Sequence, residues 1–406
     1  MATQSNAIKF GFGNTGLLPQ EEMLEISTKH QKLIIGIPKE DSEVENRVAL
    51  TPEAVEILIN NGHEVVIESN AGNAANYTDK DYSDKGGIIL KEKKLIYQSD
   101  ILLKVAPPTI DEIELVKEQQ VIISSLVISS ITKEYIQKLM AKKVTAIAYE
   151  NIKDEFECYP IVRSMNSISG AQAVLIAAGF LSNAHKGKGV LLGGVVGITP
   201  AEVVILGSGP AAEFAIRAAK GLGAVVKVFD NSLHNLVELQ NMFANQLQTS
   251  VFHPQVITKA LKSADVVIAT CHLFQEGSKY LITEDMVKGM KKGSVIVDIG
   301  IAYGNCIETS EARTQKNAYY TKHGVIHYCI PNLPSLVART SSIALSNIFL
   351  PLLLQMGNKG GIVKKLKDDR GLRNGVYIFN GILVNKHISS FFDISASDID
   401  LLMAAF

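Results

Sequence analysis

The sequence predicts an α/β protein: two doubly wound parallel-sheet lobes joined by long helices, with the second lobe inserted into the first. Three observations carry that expectation. At 406 residues the chain is too long for one ordinary core, so two domains are expected. Short apolar runs alternate with helical segments along most of the length, the pattern of a parallel sheet covered on both faces. Two long apolar helical stretches, at 169–185 and from about Thr340 onward, bracket the middle of the chain. The tail is therefore expected to return to the first lobe. The expected division is an extension at 1–32, a first domain at 33–165 plus 342–406, and a second domain at 166–341.

Residues 1–32 are a polar lead-in with a Gly-rich start (Phe10-Gly11-Phe12-Gly13) and a short helix expected from Pro19. Residues 33–37 read as a strand ended by Pro38. Thr51-Pro52 supplies a cap and a first-turn proline for a helix that Gly62 stops. Residues 63–67 form the next strand, and apolar runs follow at 100–105, 120–127 and 144–149, the last two separated by a helix led by Thr132. His63, beside the helix-ending Gly62, reads as structural. A glycine-dense approach at 187–194 leads into the second lobe, with strands expected near 202–206, 225–229, 265–270, 294–298 and 324–330.

Composition excludes several classes. Apolar residues are 47%, charged residues 20%, and the net charge is -1, with scattered basic residues and no footprint for nucleic acid. Cys158, Cys271, Cys306 and Cys329 show no CxxC spacing and read as reduced, mostly buried thiols. The N-terminus lacks the pattern of a signal peptide, and the apolar stretch 344–356 is too short to span a bilayer. A soluble, cytoplasmic protein is expected.

The sharpest local signal is Gly207-Ser208-Gly209-Pro210-Ala211-Ala212. It follows an apolar strand and opens a helix. Gly207 permits the tight turn, Gly209 lets the backbone approach a pyrophosphate at the helix N-terminus, and Ala212 is small enough for close helix–strand packing. Asp230 ends the next strand, where a carboxylate accepts hydrogen bonds from both ribose hydroxyls and repels a 2′-phosphate. This Rossmann-like unit is expected to bind NAD through Gly207, Ser208, Gly209, Pro210, Ala211 and Asp230.

Five further segments carry a family resemblance: Gly36-Ile37-Pro38-Lys39-Glu40, Asn46-Arg47-Val48-Ala49-Leu50-Thr51-Pro52, Leu103-Lys104-Val105, Gly189-Val190-Leu191-Leu192-Gly193-Gly194 and His327-Tyr328-Cys329-Ile330-Pro331-Asn332-Leu333-Pro334. Over about 33–406 the chain resembles the alanine dehydrogenase and proton-translocating transhydrogenase family. Its uninterrupted run at 149–170 looks closer to alanine dehydrogenase. The resemblance implies a hexamer, a substrate cleft between the lobes, and NAD-linked interconversion of alanine with pyruvate and ammonia. It also implies that Arg47 holds the substrate carboxylate and that Asn332 lies near the nicotinamide.

Three positions depart from the family. Ala106 stands where the substrate-binding lysine is expected, Val127 where the acid/base histidine is, and Ala302 where an aspartate is. A positioned acid/base group contributes about 10²–10⁴-fold, so the loss bears directly on turnover. Lys104, two residues from Ala106 on the same strand face, is a substitute cation, although the family has a lysine there too. His272 and Tyr303 are further pocket candidates. The leading reading is an alanine dehydrogenase-type enzyme acting on a small amino or keto acid. The alternatives are an NAD(H)-binding member without deaminase chemistry and a transhydrogenase-like hydride-transfer subunit. No metal is expected.

Overall fold

The computed structural model describes residues 30–271, 280–304 and 306–405, without the side chains of 129, 303 and 405. The expected Pro19 helix, the Gly-rich start and His272 lie outside the described residues.

The strands, in chain order, are β1 (Ile34–Ile37), β2 (Glu64–Glu68), β3 (Ile88–Leu90), β4 (Ile101–Leu103), β5 (Val121–Ser124), β6 (Thr145–Ala148), β7 (Glu202–Leu206), β8 (Val225–Phe229), β9 (Gln248–Ser250), β10 (Val266–Ala269), β11 (Val295–Asp298), β12 (Tyr319–Lys322), β13 (Val325–Tyr328), β14 (Val376–Phe379) and β15 (Ile382–Leu383). Among the described residues they form two sheets. The first has the order β15-β14-β6-β5-β4-β1-β2-β3, and the second β12-β13-β11-β10-β7-β8-β9. Each is parallel through its centre, with antiparallel edges where β14 meets β6 and β12 meets β13. The central strands are β-branched runs buried on both faces, such as Val203, Val204 and Ile205 in β7, because helices cover both sides of each sheet.

In both sheets the order reverses beside the first strand of the lobe: between β1 and β4 in one, between β7 and β10 in the other. Ligand crevices open outside the strand C-termini at such reversals. The fold therefore offers two candidate positions.

Two helices carry the chain between the lobes. The first runs Pro160–Leu181, starting well before residue 169 because Pro160 suits a first helical turn. It lies against the helix Pro210–Gly221 so closely that a Cβ at Gly170 would run into the Ala211 carbonyl. The second, Ala338–Asn358, keeps its course despite Pro351. The helical stretches Pro160–Leu181 and Leu333–Asn358 are long and apolar enough to cross a membrane by length and composition alone, so the 344–356 run underestimates its helix. The second helix is tied into the protein interior. Ser342 and Ser346, one turn apart, accept the backbone N–H groups of Val48 and Thr51 at 2.9 and 3.1 Å, while Phe349 and Leu353 enter the first core.

The edge strands β3, β9, β12, β14 and β15 are not among the sequence expectations. They are short, and β12 alternates exposed with half-buried residues, so neither length nor apolarity marks it. Through β14 and β15 the C-terminal stretch joins the first sheet.

Candidate nucleotide and substrate sites

At the reversal in the second sheet, β7 ends in Leu206 and Gly207 turns with φ +107°, a conformation open to glycine and strained for other residues. The Gly207 N–H donates to the Phe229 carbonyl at 2.7 Å, and a Cβ there would lie 2.5 Å from Thr270 Oγ1. Gly209 caps the helix Pro210–Gly221 in an extended conformation. A Cβ built on Gly209 meets nothing within 4 Å. Backbone donors thus face open space at a helix N-terminus, an arrangement suited to a phosphate. Ala211 and Ala212 are buried behind the turn.

Asp230 follows β8. Its Oδ2 accepts from Ser208 Oγ at 2.7 Å and its Oδ1 from the Ser232 N–H at 2.7 Å, while Asn235 Nδ2 donates to Ser208 Oγ at 3.1 Å. The carboxylate is held by two donors beside the glycine turn, and one of them, a hydroxyl, is free to exchange partners with a ligand. This set fits the adenosine half of a dinucleotide.

At the other reversal the C-terminal ends of β1 and β4 bring together ionic groups. Lys104, 3% exposed, places Nζ 3.3 Å from Glu40 Oε2 and 3.1 Å from each Glu112 oxygen. Lys93 adds a contact to Glu112 at 2.7 Å, and the Val105 N–H donates to Glu40 Oε1 at 2.6 Å. Burial opposes the Lys104 charge, but Glu40 and Glu112 outweigh it and hold its pKa above the usual lysine value. Glu112 likewise overcomes burial through Lys104 and Lys93 and falls to about 2, whereas burial dominates at Glu40 and pushes it up. A cavity of about 320 Å³ opens here, lined by Glu40, Glu45, Lys104, Ala106, Glu112 and Tyr135 among others.

Arg47 is buried, and its guanidinium fork already holds a carboxylate. Nε donates to Glu45 Oε1 at 2.8 Å and Nη2 to Glu45 Oε2 at 2.6 Å; Nη1 faces Met165 Sδ at 3.2 Å. Asn332 Nδ2 reaches across from the second lobe to Glu45 Oε2 at 2.9 Å. Glu45 therefore joins the two residues the sequence singles out. Burial alone would raise its pKa, but Arg47 holds it below the usual carboxylate range. Among the described residues Nη1 meets Met165 Sδ, a weak acceptor that a carboxylate would outcompete.

Val127 is 38% exposed. The N–H of its neighbour Leu126 donates to Glu150 Oε1 at 2.7 Å, and Glu150 Oε2 is buried without a hydrogen bond. Burial pushes Glu150 up to about 7. Ala302 lies on the short turn Gly300–Tyr303 after β11, and the Tyr303 side chain is outside the described set. His63 serves the fold: it accepts the Leu33 N–H at 3.3 Å and stacks on His30. Cys306 and Cys329 are buried and Cys271 partly so, but Cys158 is exposed, against expectation; it lies in the turn before Pro160 and not on a core strand.

Glu40, Glu45, Glu112 and Glu150 are site residues that the sequence reading misses. One signal for Glu45 was available, a carboxylate two positions before Arg47. Nothing local marks Glu150, whose importance comes from burial beside another strand's end.

Two family models match the chain: "Alanine dehydrogenase/PNT, N-terminal domain" over residues 36–169 and "Alanine dehydrogenase/PNT, C-terminal domain" over 173–386. The chain is 40% identical over 352 residues to an alanine dehydrogenase of Bacillus subtilis, covering 86% of this chain and 92% of that protein. It is 37% identical over 369 residues to one of Staphylococcus saprophyticus, covering 91% and 99%. A solved L-alanine dehydrogenase superposes with a TM-score of 0.84 at 33% identity, over 89% of this chain and 99% of that one. A transhydrogenase from Sinorhizobium meliloti shares the fold, with a TM-score of 0.73 at 24% identity over 87% and 99%. The chain therefore belongs to the alanine dehydrogenase/PNT family.

Proposed function

We propose that this protein is an NAD-dependent oxidoreductase of the alanine dehydrogenase type, interconverting L-alanine with pyruvate and ammonia. The observation that carries the reading is the open glycine turn with Asp230 beside it, in a chain whose relatives of nearly equal length are named alanine dehydrogenase. Gly207, Ser208, Gly209, Pro210 and Ala211 would hold the pyrophosphate, and Asp230 the ribose. Bound there, NAD supplies a hydride acceptor for the substrate α-carbon.

The protein's own residues divide the remaining work. Arg47 anchors the substrate carboxylate through its Nη1 edge, with Glu45 fixing the orientation of the fork and Asn332 linking the fork to the second lobe. Lys104 lines the cavity as a positioning group, its Nζ committed to Glu40 and Glu112 and balancing their charge. Glu150 offers a titratable carboxyl beside Val127, where the family's proton carrier is missing. A soluble, cytoplasmic homo-oligomer, a hexamer by resemblance, with the 33–165 plus 342–406 and 166–341 domain division, completes the proposal.

A second reading is favoured by Ala106, Val127 and Ala302: an NAD(H)-binding member that no longer deaminates amino acids. NADH titration by calorimetry, followed by NADH oxidation with pyruvate plus ammonium, separates the two. Turnover by the natural sequence supports the enzyme. Binding without turnover supports the second reading. A gain on combining Ala106→Lys, Val127→His and Ala302→Asp then shows that the pocket retains the rest of the machinery. Absence of NADH binding overturns both readings.

A further inference from the structure

Two thiols that the proposed reaction does not use meet at the reversal of the second sheet. Cys271 is two residues beyond the end of β10 and partly exposed; Cys306 is fully buried; their Sγ atoms are 3.2 Å apart. Both backbones are held while the side chains face each other. A Cβ on Gly207 would lie 3.5 Å from Cys271 Cβ, and one on Gly300 would collide with the Cys271 carbonyl. Thr270, the preceding residue, donates from Oγ1 to the Leu206 carbonyl at 2.8 Å, next to the glycine turn. The Cys306 carbonyl accepts the N–H groups of Leu281 and Ile282 at 2.9 and 3.1 Å.

We propose that Cys271 and Cys306 are a modification site, forming a reversible disulfide with a peroxide as oxidant, and that this bond weakens nucleotide binding at the adjacent glycine turn. The chemistry balances. The more exposed Cys271 sulfur, as thiolate, attacks the peroxide O–O bond; it becomes a sulfenic acid, and the departing oxygen leaves as water after taking a proton. Cys306 sulfur then attacks the Cys271 sulfur and expels the hydroxyl, which leaves as a second water with the Cys306 proton. Two thiols lose two hydrogens, and one peroxide is reduced to two waters. The hydrogen bond with Cys271, and then burial, keep the Cys306 thiol protonated until that step. Closing from 3.2 Å to a bond of about 2.05 Å draws together the segments that leave β10 and β11. The first segment borders the glycine turn, and the second, which carries Ala302, packs against the first at Gly300. The effect on affinity rests on the NAD reading; the pairing of the thiols does not.

The test uses the full chain carrying Cys158→Ser, which removes the exposed thiol. The folded protein is treated with hydrogen peroxide, remaining thiols are alkylated, and a peptide map locates the bond. NADH affinity is read by fluorescence titration before treatment, after it, and after dithiothreitol. The expected result is a Cys271–Cys306 cross-linked peptide and NADH binding weaker by roughly tenfold, an ordinary coupling between sites, with both reversed by dithiothreitol. Cys271→Ser and Cys306→Ser should each abolish the shift. Free alkylation of both thiols after treatment overturns the proposal, and so does a cross-link that leaves NADH affinity unchanged. Reduced protein that fails to bind NADH while still forming the cross-link overturns the nucleotide reading and removes the second half of this one.

Discussion

The two sheet reversals obey one topological rule and use it in opposite ways. Between β7 and β10 the chain turns on glycine and leaves backbone donors facing open space at Gly209. Between β1 and β4 the same kind of crevice is filled with the protein's own charges: Lys104 is paired with Glu40 and Glu112, and Arg47 nearby with Glu45. One position is prepared for an anionic ligand by withholding side chains. The other has its cations largely neutralised before a ligand arrives. Ala106 deepens that contrast, since it lines the cavity of about 320 Å³ there without adding a cation. A fold can thus mark where a ligand belongs without deciding how well it binds.

The largest expected effect tests the filled site. Lys104→Met leaves Glu40 buried without its cation and Glu112 with the partly exposed Lys93 alone, and should destabilise the protein by about 3–5 kcal/mol in urea unfolding. If Lys104 is instead a dispensable substrate ligand, stability will hold and only KM will rise. Next comes the open site. Gly209→Val should leave the unfolding midpoint near that of the natural protein, because nothing lies where its Cβ would go. NADH affinity should nevertheless fall on the order of 100-fold, ~2.7 kcal/mol. Unchanged affinity would mean that no phosphate approaches this turn.

Glu150 gives a smaller, pH-dependent effect. Its folded pKa of about 7 lies above the ordinary 4.5, so between those values the folded state binds more protons than the unfolded one. Stability from this group is present at low pH and is lost as pH rises from 4.5 to 7. Glu150→Gln should remove that slope, matching the natural protein at pH 4 and exceeding it by about 2 kcal/mol at pH 6. The same substitution should abolish any pH-rate limb near 7 if Glu150 carries a proton in turnover. The smallest effect belongs to Asp230→Ser, which should weaken NADH binding about tenfold and narrow the preference over NADPH. An unchanged ratio would detach Asp230 from the ribose.

Much of the architecture was legible because it is local. The apolar runs of β1, β4, β7 and β10, the proline at position 52 and the glycines at 62 and 207 act through neighbouring residues and backbone conformation. The glycine turn could be read in the same way, since its chemistry needs only the order strand, turn, helix, carboxylate. The edge strands were not legible, because β12 and β14 owe their existence to the partners they pair with.

The charged site divides along that same line. Residue identities show Arg47, Lys104 and Asn332 as candidates, and Ala106, Val127 and Ala302 as departures. They do not show that Arg47 and Asn332 share Glu45, that Lys104 is enclosed by carboxylates from two other segments, or that the Glu150 carboxyl is buried against the Leu126 N–H. Types and periodicity are carried along the chain and can be read from it. Burial, ion pairing and the pKa values they set depend on distances between segments far apart in the chain, and only the packed lobes decide those.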